Sequence, residues 1–291
     1  MMSDNEQGPL PDFLIIGVQK SGTSWLARML SQHPDVYMPG EEVHYFDKVH
    51  NYQNGEQWYR DHFTDAKRHQ TVGEKTPDYI WAHGDGVEGH DTNVHKNVYE
   101  TLPDAKLIVL LRNPVDRAVS ATKHIIRSGR VSPWYSLDEL LMGKEQDRIR
   151  GHGVLEYGYY RQHLSAYLDL FSASQLRILF FEEDVVDAPE YGLAKVLRFL
   201  GLTETDTIEG VDEKVNAHRS TLLELYARYY APRLLGMARR TRNIFSKQIE
   251  PPSEATIARL YDHYAEHNQQ LAEMMDRSLP DSWYSPDLAS E

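Results

Sequence analysis

The sequence predicts an α/β fold, a single domain whose parallel sheet is flanked by helices and is followed by a helical C-terminal part. Short apolar runs alternate with helical patterns along the first two thirds of the 291 residues. Apolar residues make up 41% of the chain and 18 glycines add to them, which gives an ordinary globular share. We expect a flexible N-terminus over 1–11 and one domain over 12–285.

Three apolar runs have the length and composition of buried parallel strands, at 13–18, 106–111 and 176–181, and we expect a short fourth strand at 71–74. Helical patterns lie between and after these strands, at 24–32, 92–101, 114–127, 157–171, 189–200, 221–239 and 253–275. Strands that alternate with helices indicate β-α-β units, in which neighbouring strands run parallel.

The overall charge limits the partners of the protein. There are 44 acidic against 31 basic side chains, a net charge of −13. This argues against a nucleic-acid backbone or an anionic membrane as the main partner, but it permits a local basic pocket. The chain has no cysteine, which excludes disulfides and thiolate chemistry. It has no leader-like start and no apolar run near the ~20 residues of a membrane span, so we expect a cytoplasmic protein.

The strongest local signal follows the first predicted strand. Residues 17–25 read Gly-Val-Gln-Lys-Ser-Gly-Thr-Ser-Trp and open a helix, where backbone N–H groups converge on an anion. Gly17 and Gly22 have the spacing of a nucleotide-triphosphatase loop, but Thr23 stands where that motif has its lysine, and Lys20 lies inside the loop. No magnesium-binding aspartate follows the strand at 106–111. We therefore expect a phosphate site without the usual metal arrangement.

A second signal follows the strand at 106–111. Arg112 stands at the carboxyl end of this strand, where open α/β sheets bind ligands. Pro114 fits the first turn of the next helix, and Ser120 lies two turns into that helix. An arginine with a serine at this place suits a second phosphate, because arginine binds phosphate through two parallel hydrogen bonds.

Together the two segments resemble the sulfotransferase superfamily, which uses 3′-phosphoadenosine 5′-phosphosulfate (PAPS) and releases 3′-phosphoadenosine 5′-phosphate (PAP). Segments at 158–164, 181–184, 196–202 and 260–283 extend the resemblance from 12 to 283. The resemblance implies that Arg112 and Ser120 bind the 3′-phosphate, with Arg219 as the candidate that completes this site, and that no metal is required. It implies a cofactor loop that consists of Lys20, Ser21, Gly22, Thr23, Ser24 and Trp25, in which the tryptophan stacks on adenine.

Within the superfamily the chain is most similar to the heparan-sulfate-type branch. The segment 42–47, Glu-Val-His-Tyr-Phe-Asp, resembles the catalytic segment of that branch, and 74–77, Glu-Lys-Thr-Pro, resembles the segment with a second catalytic lysine. Pro77 stands where the small-molecule branch has its catalytic histidine. The resemblance implies the catalytic residues Glu42, Lys20, Lys75, His44 and Asp47, with Glu42 as the general base.

The chemistry of sulfuryl transfer asks for the same residue types. The acceptor hydroxyl must lose a proton, which requires a carboxylate or an imidazole within reach. Negative charge develops on the leaving phosphate, where lysines and backbone amides stabilise it. His44 is the alternative base.

The resemblance therefore predicts a PAPS-dependent O-sulfotransferase. Because the chain has no basic excess for a polyanion, we expect a bacterial-type soluble member that acts on a hydroxyl of a sugar, lipid, polyketide or glycopeptide. A phosphate-loop kinase and a non-catalytic nucleotide-binding protein are the alternatives. The segment 127–153, with Trp134 and Tyr135, is either an acceptor wall or a plain helical hairpin. The Gly-, Asp- and His-rich segment 83–95 favours a surface loop over a metal loop, and the basic cluster at 239–242 favours a solvated helix end over an anion site.

Overall fold

The computed structural model describes residues 8–82, 90–213, 220–240 and 247–285. The chain divides into two compact units, and each is described here by itself. The first consists of Met1–Arg112 and Tyr160–Val215, and the second of Asn113–Tyr159 and Asn216–Glu291. Of the predicted flexible N-terminus, 1–7 lie outside the described residues, and the Gly8 carbonyl accepts a hydrogen bond from Arg60.

A five-stranded sheet forms the centre of the first unit. Its strands are β1 (Phe13–Gly17), β2 (Val36–Tyr37), β3 (Thr71–Lys75), β4 (Lys106–Leu111) and β5 (Leu176–Phe180). They lie in the order β2-β3-β1-β4-β5, and every adjacent pair is parallel. Ile15 of the central strand is in register with Lys75 on one side and Ile108 on the other. The predicted α/β fold with a parallel sheet is confirmed.

The α-helices of the described residues agree with most of the predicted helical patterns. They are α1 (Thr23–Leu30), α2 (Val49–Tyr52), α3 (Gly55–Arg60), α4 (Val94–Thr101), α5 (Pro114–Arg127), α6 (Leu137–Leu141), α7 (Asp147–Arg150), α8 (Tyr160–Leu168), α9 (Pro189–Leu200), α10 (Leu222–Tyr230), α11 (Leu235–Arg240) and α12 (Glu254–Met275). A π-helical segment, Phe181–Asp187, follows β5. No α-helix in these ranges is long and apolar enough to cross a bilayer.

One predicted helix is wrong. The pattern at 221–239 predicts a continuous helix, but the structure has α10 and α11 separated by a short 3-10 turn, Pro232–Leu234. Pro232 causes the break, because a proline inside a helix removes a backbone hydrogen bond and clashes with the preceding turn.

Each unit has its own apolar core. In the first, β1 is fully buried, and α1 and α9 pack against the sheet through side chains such as Leu26, Leu30, Val196 and Leu197. In the second, α5, α6, α10 and α12 share a cluster that includes Ile125, Leu140, Leu225, Leu260 and Tyr264. The first core fixes the carboxyl ends of the strands, where the candidate site lies.

Candidate active site

The central strands of the sheet place the phosphate loop beside Lys75 and Arg112. β1 leads into the loop, β3 ends at Lys75, and β4 ends one residue before Arg112. Since β3 and β4 flank β1 and adjacent strands lie about 4.8 Å apart, the three strand ends form one continuous edge. All of these residues belong to the first unit.

The loop after β1 has the geometry of an anion site. Gly22 precedes α1 with φ at +92°, a left-handed conformation that favours glycine, and no side chain caps this helix end. The N–H groups at the start of α1 are therefore available for an anion. The Ser21 hydroxyl is buried, and it has no hydrogen-bond partner among the described residues. A buried hydroxyl without such a partner is suited to a hydrogen bond with a ligand oxygen.

Arg112 is held against the loop by three contacts. Its guanidinium donates to the Lys20 carbonyl at 3.1 Å and lies 4.8 Å from the centre of the Phe181 ring. The Tyr160 hydroxyl donates to the Arg112 carbonyl at 2.6 Å. Within the described ranges, the buried Nε of Arg112 has no partner. The structure thus brings Arg112 and Lys20 together.

The predicted catalytic residues form one chain of contacts. The Lys75 Nζ donates to Glu42 Oε1 at 2.5 Å, and the other Glu42 oxygen lies 3.4 Å from His44 Nε2. On the opposite side of the ring, His44 Nδ1 lies 3.0 Å from an oxygen of the buried Asp47. Asn51 donates to the His44 carbonyl at 3.0 Å and holds this segment, in which His44 has φ of +54°. Glu42, His44, Asp47 and Lys75 are therefore neighbours.

These contacts set the ionisation of the cluster. Burial alone would raise the pKa of Glu42, but hydrogen bonds from His44 and Lys75 outweigh it and lower this pKa from 4.5 to about 2. Burial alone would lower the pKa of His44, but hydrogen bonds to Asp47 and Glu42 raise it from 6.5 to about 10. At neutral pH both carboxylates are ionised and His44 is a cation.

A buried carboxylate that the sequence analysis did not assign lies behind this cluster. Glu74 is fully buried on β3 and accepts hydrogen bonds from the hydroxyls of Tyr59 at 2.5 Å, Thr76 at 2.7 Å and Tyr79 at 2.8 Å. Burial raises the pKa of Glu74, against the opposing effect of the three hydroxyls. The signal that could have identified Glu74 is that a glutamate stands within a strand predicted to lie in the buried sheet.

Two of these hydroxyls also hold the segment 42–47, which contains predicted catalytic residues. The Tyr79 hydroxyl accepts from the Tyr45 amide at 2.8 Å, and the Thr76 hydroxyl accepts from the His44 amide at 3.4 Å. Glu74 therefore orients the side chains that fix the backbone between Glu42 and Asp47.

The positions of the remaining predicted cofactor residues do not test their predicted roles. Thr23 is buried and Ser24 is exposed. Trp25 is 4% exposed, and its indole N–H donates to the Val211 carbonyl at 2.9 Å, so the ring forms part of the core of the first unit. Ser120 is half-buried on α5 in the second unit. Arg219 lies outside the described residues. The cofactor roles of these side chains stay predictions.

One set of side chains in the described part of the chain has metal-ligand spacing. Ligand atoms of His44, Asp47 and Asp78 lie within 4.8 Å of one another. A histidine must lose its proton to bind a metal, and the raised pKa of His44 opposes this. The geometry favours the hydrogen-bonded pair of His44 and Asp47.

A parallel α/β sheet whose central strand leads into a predicted phosphate loop, beside a lysine-glutamate-histidine-aspartate cluster, is typical of proteins that bind phosphate esters. Comparison with known proteins specifies the class, because residues 10–222 match the family model described as "Sulfotransferase domain". The chain belongs to the sulfotransferase family.

Its relatives include heparan sulfate enzymes. The chain is 28% identical to heparan sulfate glucosamine 3-O-sulfotransferase 5 of Mus musculus over 196 residues, 66% of this chain and 54% of that protein. It is 32% identical to heparan sulfate glucosamine 3-O-sulfotransferase 6 of Homo sapiens over 197 residues, 68% and 54% of the two chains. The chain thus spans about half the length of these curated relatives.

Solved structures agree with the fold. A sulfotransferase from Alicyclobacillus acidocaldarius superposes with a TM-score of 0.65 and 27% identity, over 94% of this chain and 99% of that chain. The sulfotransferase domain from the curacin biosynthetic pathway superposes with a TM-score of 0.50 and 14% identity, over 94% and 100% of the two chains, which supports the fold alone.

Proposed function

We propose that the chain is a PAPS-dependent O-sulfotransferase that transfers a sulfuryl group to an acceptor hydroxyl by in-line displacement. The observation that carries this proposal is the chain of contacts from Lys75 through Glu42 and His44 to Asp47, at the sheet edge that also holds the phosphate loop. Bound PAPS supplies the sulfuryl group and the leaving phosphate. The protein supplies the base, the cations and the binding site.

Glu42 is the base in this proposal. His44 donates hydrogen bonds to two carboxylates, and its pKa of about 10 keeps it protonated, so it has no lone pair for a proton from the acceptor. The Glu42 side chain is 37% exposed, which leaves it accessible to an acceptor hydroxyl. His44 and Asp47 orient this carboxylate, and Asp47 compensates the charge of the imidazolium.

The ion pair between Lys75 and Glu42 must weaken before Glu42 can act as an effective base. A carboxylate whose pKa is about 2 is a weak base, and the 2.5 Å contact with Lys75 is one cause of this low value. A phosphosulfate in the loop would compete for Lys75, because its oxygens carry negative charge. Once Lys75 contacts that anion, the pKa of Glu42 rises and the carboxylate accepts the proton more readily.

The proposed contacts with the cofactor are inferred from groups that have no partner among the described residues. The Ser21 hydroxyl and the Arg112 Nε are buried and unpaired there, and both suit phosphate oxygens. Arg112 is assigned to the 3′-phosphate and Lys20 to the 5′-phosphosulfate. Charge that grows on the leaving phosphate makes Lys20 important for the rate.

For the acceptor we propose a hydroxyl of an uncharged or weakly charged carbohydrate. The relatives of known substrate act on glucosamine units of heparan sulfate, as their names state. Heparan sulfate is a polyanion and is bound by a cleft lined with basic groups, and a chain with 31 basic against 44 acidic side chains has few basic groups to spare for one.

Product analysis tests the proposal. The protein is incubated with PAPS and a panel of neutral oligosaccharides, and the products are examined by mass spectrometry while release of PAP is measured. Sulfated oligosaccharide together with an equal amount of PAP is the expected result. Phosphoryl transfer from Mg-ATP without PAP release would show a kinase instead. Tight PAP binding without any turnover on the panel or on a metabolite extract would show a nucleotide-binding protein.

A further inference from the structure

The second unit carries an apolar groove whose lining includes none of the residues assigned above to sulfuryl transfer. Helices α10 and α11 and the turn between them enclose a volume of about 500 Å³. The groove is lined by Leu223, Tyr226, Tyr230, Leu234 and Met237. All except Tyr226 are 39–65% exposed. Large apolar side chains gathered at one exposed place mark an interaction site.

The same segment is basic in an acidic chain. Residues 221–240 hold four arginines and a single acidic residue, Glu224, which is buried. Arg233, Arg239 and Arg240 are exposed, and none of them forms an ion pair with a residue in the described ranges, unlike Arg28. The side chains of 221–240 are called the α10–α11 face below.

Aromatic side chains extend this face. The Tyr230 hydroxyl lies 2.7 Å from the Ser132 hydroxyl, which accepts a hydrogen bond from the Trp134 amide at 3.2 Å. The Trp134 side chain is 74% exposed. Tryptophan and tyrosine favour the interface between water and lipid, because one end of each ring system is apolar and the other is polar.

We propose that the α10–α11 face, with Trp134, docks on the surface of a lipid bilayer that contains anionic lipids. Leu234 and Met237 would insert between the headgroups, and the three exposed arginines would pair with lipid phosphates. A second copy of the chain is a less suitable partner for this face, because a two-fold interface would bring the like-charged arginines of both copies together. The excess of acidic groups elsewhere is screened beyond about 8 Å at physiological ionic strength, so the local charge decides the contact.

Vesicle flotation of the full chain tests the proposal. The probes are vesicles of phosphatidylcholine alone and of phosphatidylcholine mixed with phosphatidylglycerol. We expect binding to the mixed vesicles only, with a loss of affinity at high salt. Since a basic residue near the surface is worth about 1 kcal/mol, the triple variant Arg233→Glu, Arg239→Glu and Arg240→Glu should bind at least about 100-fold more weakly.

The matched control makes the same charge change at exposed arginines elsewhere, Arg161→Glu, Arg198→Glu and Arg259→Glu, and should still bind. The double variant Leu234→Ser and Met237→Ser keeps all arginines and should also lose binding, because it removes the inserted groups. Melting temperatures of all variants show whether they fold.

Three results would overturn the proposal. The first is equal binding to both vesicle types, and the second is equal loss in the control variant. The third is no vesicle binding by the unaltered chain. If that result comes together with a self-association in sedimentation that the triple variant abolishes, the face is a contact between copies of the chain.

Discussion

Replacing Glu42 by glutamine separates the chemical role of this carboxylate from any structural role. Glutamine keeps the size of the side chain but cannot accept the proton of the acceptor. A general base contributes about 10²–10⁴-fold to turnover, so kcat should fall by a factor in this range, which is about 2.7–5.5 kcal/mol. PAP affinity should stay nearly unchanged, because the carboxylate is assigned to the acceptor side.

Thermal unfolding separates a loss of stability from a loss of chemistry. Glu42 is 37% exposed, but its partners Lys75 and His44 are only 17% and 27% exposed, so the value of about 0–1 kcal/mol typical of solvent-exposed ion pairs is a lower bound for this cluster. Glutamine still offers Glu42's partners a hydrogen-bonding side chain of the same size, so we expect Glu42→Gln to stay folded at the assay temperature. The adjacent Glu41 is 78% exposed and lies 3.9 Å from His62, so Glu41→Gln is the matched control and should keep full turnover.

The assay is steady-state PAP release with saturating acceptor, together with calorimetric titration of PAP and thermal unfolding of each variant. Near-normal turnover of Glu42→Gln, with activity abolished in His44→Ala, would refute the reasoning. The base would then be His44, and its contacts with two carboxylates would not keep it protonated during turnover.

Three further predictions follow from the site. First, in the chain without ligand Glu42 is ionised above pH about 2 and His44 stays protonated below about 10, so kcat/KM for PAPS, which reports the free enzyme, should show no titration of either group around neutral pH. It should fall near pH 10, where His44 loses the proton through which it orients Glu42, and a midpoint near 6.5 that His44→Gln removes would contradict this. Second, Gly22→Ala should destabilise the fold by about 1–3 kcal/mol in chemical denaturation, because φ is +92° and the new Cβ lies 3.0 Å from an aromatic ring, whereas Gly40→Ala, which meets nothing within 4 Å, should be neutral. Third, Arg112→Ala should weaken PAP far more than adenosine 5′-phosphosulfate in calorimetric titrations, and equal losses would remove its assignment to the 3′-phosphate.

Much of the fold follows from local patterns. The bounds of β4, α5 and α9 match the predicted ones, because continuous apolar runs and prolines at helix starts are strong local signals. β2 was missed, since its two residues, Val36–Tyr37, are too few to show a pattern. The break at Pro232 was missed although its cause is local.

The candidate site, like the fold, could be predicted from the sequence only in part. The spacing of Glu42, His44 and Asp47 lies within one segment, so the sequence could place them together. Their contact with Lys75 depends on the pairing of β3 with β2, the strand that precedes this segment, and local spacing alone does not show that pairing. Glu74 binds two nearby hydroxyls, those of Thr76 and Tyr79, and the more distant hydroxyl of Tyr59, and only the folded structure reveals that all three meet one carboxylate.

The parallel order of the strands has a consequence for how the protein folds. Ile15 pairs with Lys75 and with Ile108, so the neighbours of the central strand come from distant parts of the chain. Closing such large loops costs entropy before any contact compensates it, which makes folding of this topology slow. The edge that holds the phosphate loop is complete only when β3 and β4 have joined β1. A nascent chain that has not yet emerged beyond β4 therefore lacks the proposed anion site, and on this proposal the binding of PAP reports a late step of folding.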